Sequence, residues 1–169
     1  THNIYNLLAV LAYCHYLDLD LKVIKRISSC LECEKNRLEI KKIGNKTIID
    51  DSFNSNLKGF KEALSVLRKR TDKRILLTPG IVELEKYKDQ VYEELAVDIA
   101  ASCDIVILVG YEETRKMYEK LKRYRLEIFI VKDFLEGYSL YKSISDYYVK
   151  TSLLIENDLP DLYRKRLVV

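Results

Sequence analysis

Asp104-Ile105-Val106-Ile107-Leu108-Val109-Gly110 is a continuous apolar run closed by a glycine, and it decides the fold. Three similar runs surround it, at 74–78, 127–131 and 151–155, and amphipathic stretches at 57–70, 88–102, 112–124 and 134–147 separate or precede them. Strands that are apolar throughout are typical of a parallel sheet covered on both faces, and the amphipathic spacing predicts the covering helices. The pattern therefore predicts repeated strand–helix units.

The part of the chain ahead of these units has a different pattern. Residues 3–17 and 20–29 carry apolar side chains at helical spacing, and strands at 38–43 and 47–50 flank the turn Gly44-Asn45. We expect an α/β, Rossmann-like fold, with a mostly parallel sheet and helices on both faces, preceded by a short helical segment.

Composition excludes several classes of protein. Five Gly, two Pro and 33% charged residues among 169 are unlike collagen or disordered chains. No apolar run approaches the ~20 residues that cross a bilayer, so no membrane insertion is expected. The +3 net charge comes from interspersed Lys and Glu, and the cluster from Arg68 to Arg74 falls at a predicted helix end, so no nucleic-acid partner is expected either.

The cysteines and the first residue lead to two further expectations. Cys30 and Cys33 have the spacing of a zinc knuckle, but no second pair follows and the chain has only two histidines, so no metal site is predicted. Four cysteines suit a reducing compartment. The chain begins with Thr1 and shows no signal-peptide pattern, which indicates a fragment of a longer protein.

A strongly polar loop follows the strand at 47–50. Asp50-Asp51-Ser52-Phe53-Asn54-Ser55-Asn56 holds two carboxylates, two amides and two hydroxyls directly before a predicted helix. Helix capping by Ser55 or Asn56 is one interpretation. Because a single cap needs one such residue, a ligand site is favoured: carboxylates accept hydrogen bonds from ribose hydroxyls, and a helix N-terminus suits phosphate.

Other polar positions are weaker candidates. Glu83 follows Pro79-Gly80 after a predicted strand and faces either a ligand or solvent, while Gly110 permits close backbone approach. The acidic segment 155–161 is either part of the site or an exposed tail. His2, Asn3 and Asn6 share one side of the first helix, where asparagine also serves as a cap.

Three motifs together resemble the Mur ligase family, whose members extend the peptide of the bacterial cell-wall precursor with ATP. They are His2-Asn3-Ile4-Tyr5-Asn6-Leu7-Leu8-Ala9, Asn36-Arg37-Leu38-Glu39 and Ile49-Asp50-Asp51-Ser52-Phe53-Asn54-Ser55-Asn56, in the family's order. The third is most similar to the loop of the members that add D-Ala-D-Ala. The resemblance implies that residues 1–34 are the helical end of a central ATPase domain and that residues 35–169 are the C-terminal Rossmann-like domain.

The resemblance also implies roles for individual residues. His2, Asn3 and Asn6 would lie near the adenine of ATP, Arg37 would reach toward the phosphates, and Asp51 would hold the ribose. The nucleotide and substrate cleft would be lined by Ser52, Asn54, Asn56 and Glu83. The implied partners are ATP with Mg²⁺, a UDP-linked muramoyl peptide, and an amino acid or dipeptide, in a cytoplasmic enzyme.

Several departures from the family pattern bear on activity. No Gly-x-x-x-x-Gly-Lys-Ser/Thr phosphate loop occurs in the sequence, so this chain alone is expected to be inactive. Leu57 replaces the usual Pro, and the loops at 78–84 and 156–161 diverge from the common forms. Two alternatives stay open: a Mur-superfamily ligase with another amine substrate, and a non-catalytic nucleotide-binding module.

Overall fold

A computed structural model describes residues 2–30, 35–53, 56–81, 84 and 87–157, and the side chains of residues 2–5 lie outside that description. The chain divides into two compact units, Thr1–Glu34 and Lys35–Val169. In the first unit, helix α1 (His2–Tyr16) is followed by helix α2 (Leu21–Ser29). The carboxylate of Asp20 caps α2 by accepting a hydrogen bond from the backbone N–H of Lys22 at 2.8 Å.

The second unit contains a six-stranded sheet with the spatial order β1-β2-β6-β3-β4-β5. The strands are β1 (Glu39–Ile43), β2 (Lys46–Asp51), β3 (Lys73–Thr78), β4 (Ile105–Val109), β5 (Glu127–Val131) and β6 (Thr151–Glu156). Only β1 is antiparallel to its neighbour; the other five strands are parallel. The predicted mostly parallel sheet is confirmed. Strand β6 lies between β2 and β3, so the last strand of the sheet is a central one.

Within the described part of the second unit, four helices cover the sheet: α3 (Leu57–Arg68), α4 (Lys88–Ser102), α5 (Tyr111–Leu121) and α6 (Phe134–Ser145). One core cluster joins α3, α4 and α5 to one face, with Leu64, Ile99 and Leu121 fully buried or nearly so. The other cluster joins α6 to the opposite face through Phe134 and Tyr141. Burial of each large apolar side chain contributes about 1.5–3 kcal/mol, so both faces of the central strands contribute to stability.

Helix α6 packs closely on the sheet because of one glycine. A β-carbon on Gly137 would lie 2.7 Å from Leu77 Cδ1 and 3.2 Å from Val131 Cγ2. Asp133 is the N-cap of the helix: its carboxylate accepts a hydrogen bond from the backbone N–H of Glu136, while Glu136 Oε2 accepts one from the backbone N–H of Lys132. This reciprocal capping fixes the start of α6 directly after β5.

The first strand departs from its prediction. It begins at Glu39, because Leu38 adopts a left-handed backbone with φ of 50°. Ile40 and Ile43, two of the apolar positions on which the strand was predicted, are both exposed. Strand β1 lies at the edge of the sheet, and four of its five residues are exposed. Helices α3, α5 and α6 also end two or three residues earlier than predicted.

None of the helices in the described ranges is both long enough and apolar enough to cross a bilayer.

Candidate functional site

The candidate site lies where β2 and β6 end. Asp51 and Glu156 are register partners in this parallel pair, and the backbone N–H of Asn157 bonds to the carbonyl of Asp51 at 3.3 Å. Ligands of parallel α/β sheets bind at this edge, beyond the carboxyl ends of the strands. The edge therefore brings together a loop that the sequence predicted as a site, after β2, and one that it left open, after β6.

Asp51 is half-buried and held by its neighbours. Its Oδ1 accepts a hydrogen bond at 3.0 Å from the backbone N–H of Leu38, a residue with a left-handed backbone. Burial raises the pKa of Asp51 above its ordinary value, and the hydrogen bonds from Leu38 and Glu156 together with the charge of Arg37 only partly offset that effect. The ionisation of the Asp51 carboxyl group therefore depends on its burial and on the hydrogen bonds and charges next to it.

Arg37 is placed beside this loop by an aromatic contact. Its guanidinium carbon lies 4.3 Å from the centroid of the Phe53 ring, a cation–π arrangement. The backbone N–H of Phe53 bonds to the carbonyl of Asn36 at 3.2 Å, which ties the two segments together. Arg37 and Asp51, both predicted as site residues, thus belong to one loop cluster with one cationic and one acidic group.

Ser52 and Asp50 form a buried pair beneath this cluster. The hydroxyl of Ser52 donates to Asp50 Oδ1 at 2.7 Å, and both residues are about 5% exposed. Lys41 Nζ lies 4.0 Å from the other Asp50 oxygen. The structure therefore uses the Ser52 hydroxyl to hold the turn after β2, which supports the shape of the loop.

Asn56 caps helix α3. Its Oδ1 accepts from the backbone N–H of Gly59 at 2.9 Å, so the capping interpretation is confirmed for this residue. Asn6 lies in α1, within the first unit. Asn54 and Glu83 lie outside the described residues, as do the side chains of His2 and Asn3.

The loop after β3 is held by residues that sequence analysis did not place in the site. The backbone N–H of Gly80, with φ of 83°, bonds to Thr78 Oγ1 at 3.0 Å. The buried hydroxyl of Tyr92 on α4 bonds to the backbone of Ile81. The side-chain amide of Asn157 donates to the carbonyl of Gly80. One residue after β6 thus links the ends of β2 and β3.

Glu156 and Asn157 belong to the site and not to an exposed tail. They are 0% and 1% exposed. Asn157 also has a left-handed backbone, with φ of 82°. The signal that could have found them is a polar pair directly after a buried apolar strand, since such residues lie at the ligand-binding edge.

The charges at this edge favour hydroxyl recognition. Asp50, Asp51 and Glu156 supply carboxyl groups, and Arg37 supplies a cation for an anionic group. Within the described ranges, no group of three or more His, Cys, Asp or Glu side chains is arranged to hold a metal ion. The arrangement can orient a polyhydroxylated, anionic ligand, and it contains no nucleophile–base pair among the groups described above.

A protein-family comparison covers most of the second unit. The family described as "Mur ligase, glutamate ligase domain" matches residues 36–146. A relative in Buchnera aphidicola subsp. Baizongia pistaciae, named UDP-N-acetylmuramoyl-tripeptide–D-alanyl-D-alanine ligase, is 32% identical over 95 residues. That match covers 56% of this chain and 20% of the relative.

Solved structures share the fold. A crystal structure of MurF from Acinetobacter baumannii superposes with a TM-score of 0.81 at 20% identity, over 98% of this chain and 36% of that one. MurF from Thermotoga maritima in complex with ADP superposes with a TM-score of 0.68 at 16% identity, over 94% and 35% of the two chains. This chain therefore spans about a third of the length of these proteins.

Proposed function

Since this chain belongs to the Mur ligase family, we propose that it is the C-terminal part of an ATP-dependent amide ligase of peptidoglycan-precursor synthesis. Residues 35–169 would belong to the C-terminal Rossmann-like domain, and residues 1–34 would be the helical end of the central ATPase domain. The substrates would be ATP, a UDP-linked muramoyl tripeptide and the dipeptide D-Ala-D-Ala, as the name of the Buchnera relative suggests.

The observation that carries this proposal is the placement of Asp51 and Arg37 at one edge of the sheet. A half-buried carboxylate that already accepts one backbone hydrogen bond is well oriented to accept others from the two ribose hydroxyls. The guanidinium of Arg37, stacked on Phe53, would meet the nucleotide phosphates, since planar bidentate donors suit phosphate oxygens.

The remaining predicted residues complete the proposal. His2, Asn3 and Asn6 would lie on the adenine side of the nucleotide. Ser52, Asn54, Asn56 and Glu83 would line the nucleotide and substrate cleft, with Ser52 and Asn56 shaping it through the turn and the helix cap described above.

The reaction would join an acid to an amine at the expense of ATP. The terminal carboxylate of the precursor would attack the γ-phosphate, which gives an acyl phosphate and releases ADP. The incoming amine would then attack the acyl carbon, lose a proton and displace inorganic phosphate, which forms the amide bond. Mg²⁺ would neutralise phosphate charge during this transfer. The sequence contains no phosphate loop, so this chain would orient the nucleotide and close the site, while residues elsewhere would hold the metal and supply the phosphate loop. This chain would therefore be inactive alone.

A ligase of the same superfamily with a different amine substrate is the second candidate. Its support comes from the loop after β6, where buried Glu156 and Asn157 stand in place of the family's usual residues. A panel of amines, including D-Ala-D-Ala and single amino acids, tested with the whole ligase would separate the two candidates by which amine is consumed.

The nucleotide role is tested by Asp51→Asn in the whole ligase. The substitution weakens the hydrogen bonds that the ionised Asp51 carboxylate would accept from the ribose hydroxyls. The loss of about 1.5–3 kcal/mol should raise the KM for ATP by roughly 10- to 100-fold. Asp72→Asn is the matched control, because Asp72 accepts a hydrogen bond from Ser152 Oγ at the opposite end of the sheet. An unchanged KM for ATP in a folded Asp51→Asn enzyme would contradict the ribose role.

A further inference from the structure

Two carboxyl side chains meet at the edge of the sheet. Asp51 and Glu156 occupy matching positions on adjacent parallel strands, and side chains alternate between the faces along each strand. Ile49 and Leu154, two residues earlier on each strand, both belong to the core beneath α3, α4 and α5. Asp51 and Glu156 therefore lie side by side on that same face, where a hydrogen bond from Glu156 lowers the pKa of Asp51 and partly offsets the effect of burial.

A hydrogen bond between two carboxyl groups requires a proton on one of them. Two carboxylates in contact cannot both be ionised without a large cost, so one of them keeps its proton. Glu156 is fully buried, whereas Asp51 is partly exposed. Asp51 also accepts a hydrogen bond from Leu38 N and lies near Arg37. Since the negative charge is better solvated on Asp51, the proton resides on Glu156.

We propose that Glu156 is a positioning residue for Asp51: its protonated carboxyl donates a hydrogen bond to the Asp51 carboxylate and fixes the orientation of that carboxylate at the ligand-binding edge. The pairing stands on the geometry of β2 and β6. Its consequence for nucleotide binding rests on the proposed function.

The charged groups around the pair favour a single shared proton. Asp50 on β2 adds negative charge, and Arg37 adds positive charge. On β1, Lys41 pairs with Glu39 at 3.2 Å and lies near Asp50. The nearest elements on the covered face contribute little charge to the pair: Lys61 of α3 is turned toward Glu94 and Asp98 of α4, and Tyr92 of α4 bonds to Ile81.

The shared proton makes the site sensitive to rising pH. Glu156 is 0% exposed and lies beside the Asp51 carboxylate, and both conditions disfavour a second negative charge, so the folded pair holds its proton above the pH at which an unfolded carboxyl loses it. The stabilisation is therefore fully present at low pH and is lost as pH rises through the titration of the folded pair. Above that pH two adjacent carboxylates repel each other, and the fixed orientation of Asp51 is lost.

The test compares Glu156→Gln with Glu156→Leu. Glutamine keeps the shape and donates to Asp51 through its NH₂ group at every pH, while leucine removes the donor. The matched control is Glu127→Gln, because Glu127 lies in edge strand β5 and has an exposed side chain. Two quantities are measured against pH: the unfolding midpoint of this chain, and the KM for ATP of the whole ligase carrying the same substitutions.

The relevant pH range lies between the titration of the unfolded carboxyl groups and the titration of the folded pair. In that range we expect the wild-type protein to take up about one proton on folding, and we expect Glu156→Gln to abolish that uptake. In the whole ligase, the wild-type KM for ATP should rise toward tenfold per pH unit above the titration of the pair, while Glu156→Gln should show a flat profile. Glu156→Leu should raise the KM at every pH, and Glu127→Gln should match wild type.

Carboxyl-carbon NMR titration of the wild-type chain tests the pairing without any substitution. Ordinary, independent titration of both Asp51 and Glu156 would overturn the proposal. A shared proton with an ATP KM that is insensitive to Glu156→Gln and Glu156→Leu would retain the pairing and refute the nucleotide role of Asp51, so the two failures are distinguishable.

Discussion

Asn157 is the residue whose replacement most directly tests how the site is held together. Its side-chain amide donates to the buried carbonyl of Gly80, and its backbone N–H bonds to the carbonyl of Asp51. Its φ of 82° is one that side chains with a β-carbon rarely adopt, although asparagine tolerates it. We therefore compare Asn157→Ala with Asn157→Gly, because both lose the amide and only alanine retains the β-carbon.

The magnitudes follow from these two contributions. Loss of the amide leaves the Gly80 carbonyl buried without that donor, which lowers the free energy of unfolding by about 1–3 kcal/mol. Alanine in a left-handed conformation adds about 1–2 kcal/mol, whereas glycine adopts that conformation freely. We expect Asn157→Ala to lose about 2–5 kcal/mol, and Asn157→Gly to lose about 1–2 kcal/mol less than alanine.

Urea denaturation followed by circular dichroism measures both losses, and a protein of this size loses about 2–4 °C in Tm per kcal/mol. Asn36→Ala is a matched control, because Asn36 is also left-handed, with φ of 61°, and bonds through its backbone N–H and carbonyl. Equal losses for Asn157→Ala and Asn157→Gly would refute the backbone contribution. A loss for Asn157→Ala no greater than for Asn36→Ala would refute the hydrogen-bond contribution.

Two further predictions concern the packing and charge of the second unit. Gly137→Ala should lower the free energy of unfolding by about 0.5–2 kcal/mol in thermal or urea denaturation, because the overlap of the new methyl group with Leu77 costs more than the gain in helix propensity. The control is Gly59→Ala, whose β-carbon meets nothing nearer than 3.6 Å and which should be neutral or stabilising. A larger loss of stability for Gly59→Ala than for Gly137→Ala would contradict this packing. Asp104 accepts hydrogen bonds from the backbone and side chain of Arg74; partial burial raises its pKa, but the bonds to Arg74 outweigh burial and leave the pKa below its ordinary value. The stabilisation by ionised Asp104 is therefore present above about pH 4 and is lost as pH falls below that value. Asp104→Asn should lower the free energy of unfolding by about 1–2 kcal/mol at pH 7, and by progressively less in denaturation series at lower pH. A cost that does not change with pH would contradict the lowered pKa of Asp104.

The site is acidic for one that is proposed to bind a nucleotide, and its geometry explains why. Asp50 is buried and paired with Ser52, so it supports the turn. Glu156 is buried against Asp51, and the proposed shared proton removes one negative charge. Asp51 would then present a single carboxylate, beside the cationic Arg37 that we propose meets the nucleotide phosphates. An edge with three carboxyl groups in its sequence thus presents much less negative charge to a ligand.

Much of the local structure could be predicted from sequence because it depends on local rules. Continuous apolar runs marked β3 to β6, and the turn Gly44-Asn45 marked the β1–β2 hairpin, since side-chain periodicity and turn chemistry act over a few residues. Asn56 was one of two predicted caps for α3, and its carbonyl oxygen does cap that helix. The edge strand was less predictable, because exposure of Ile40 and Ile43 depends on what covers the strand.

The sequence by itself determined the class of fold, the candidate loop after β2 and the family resemblance that the comparison confirmed. The tertiary structure alone decided that β6 inserts between β2 and β3. That insertion sets Glu156 beside Asp51 and Asn157 beside Gly80, although these partners are far apart in the chain. Strand order follows from how whole layers pack, and no local pattern encodes it. The loop after β2 was therefore visible in the sequence, whereas the residues that hold it became visible only in the folded sheet.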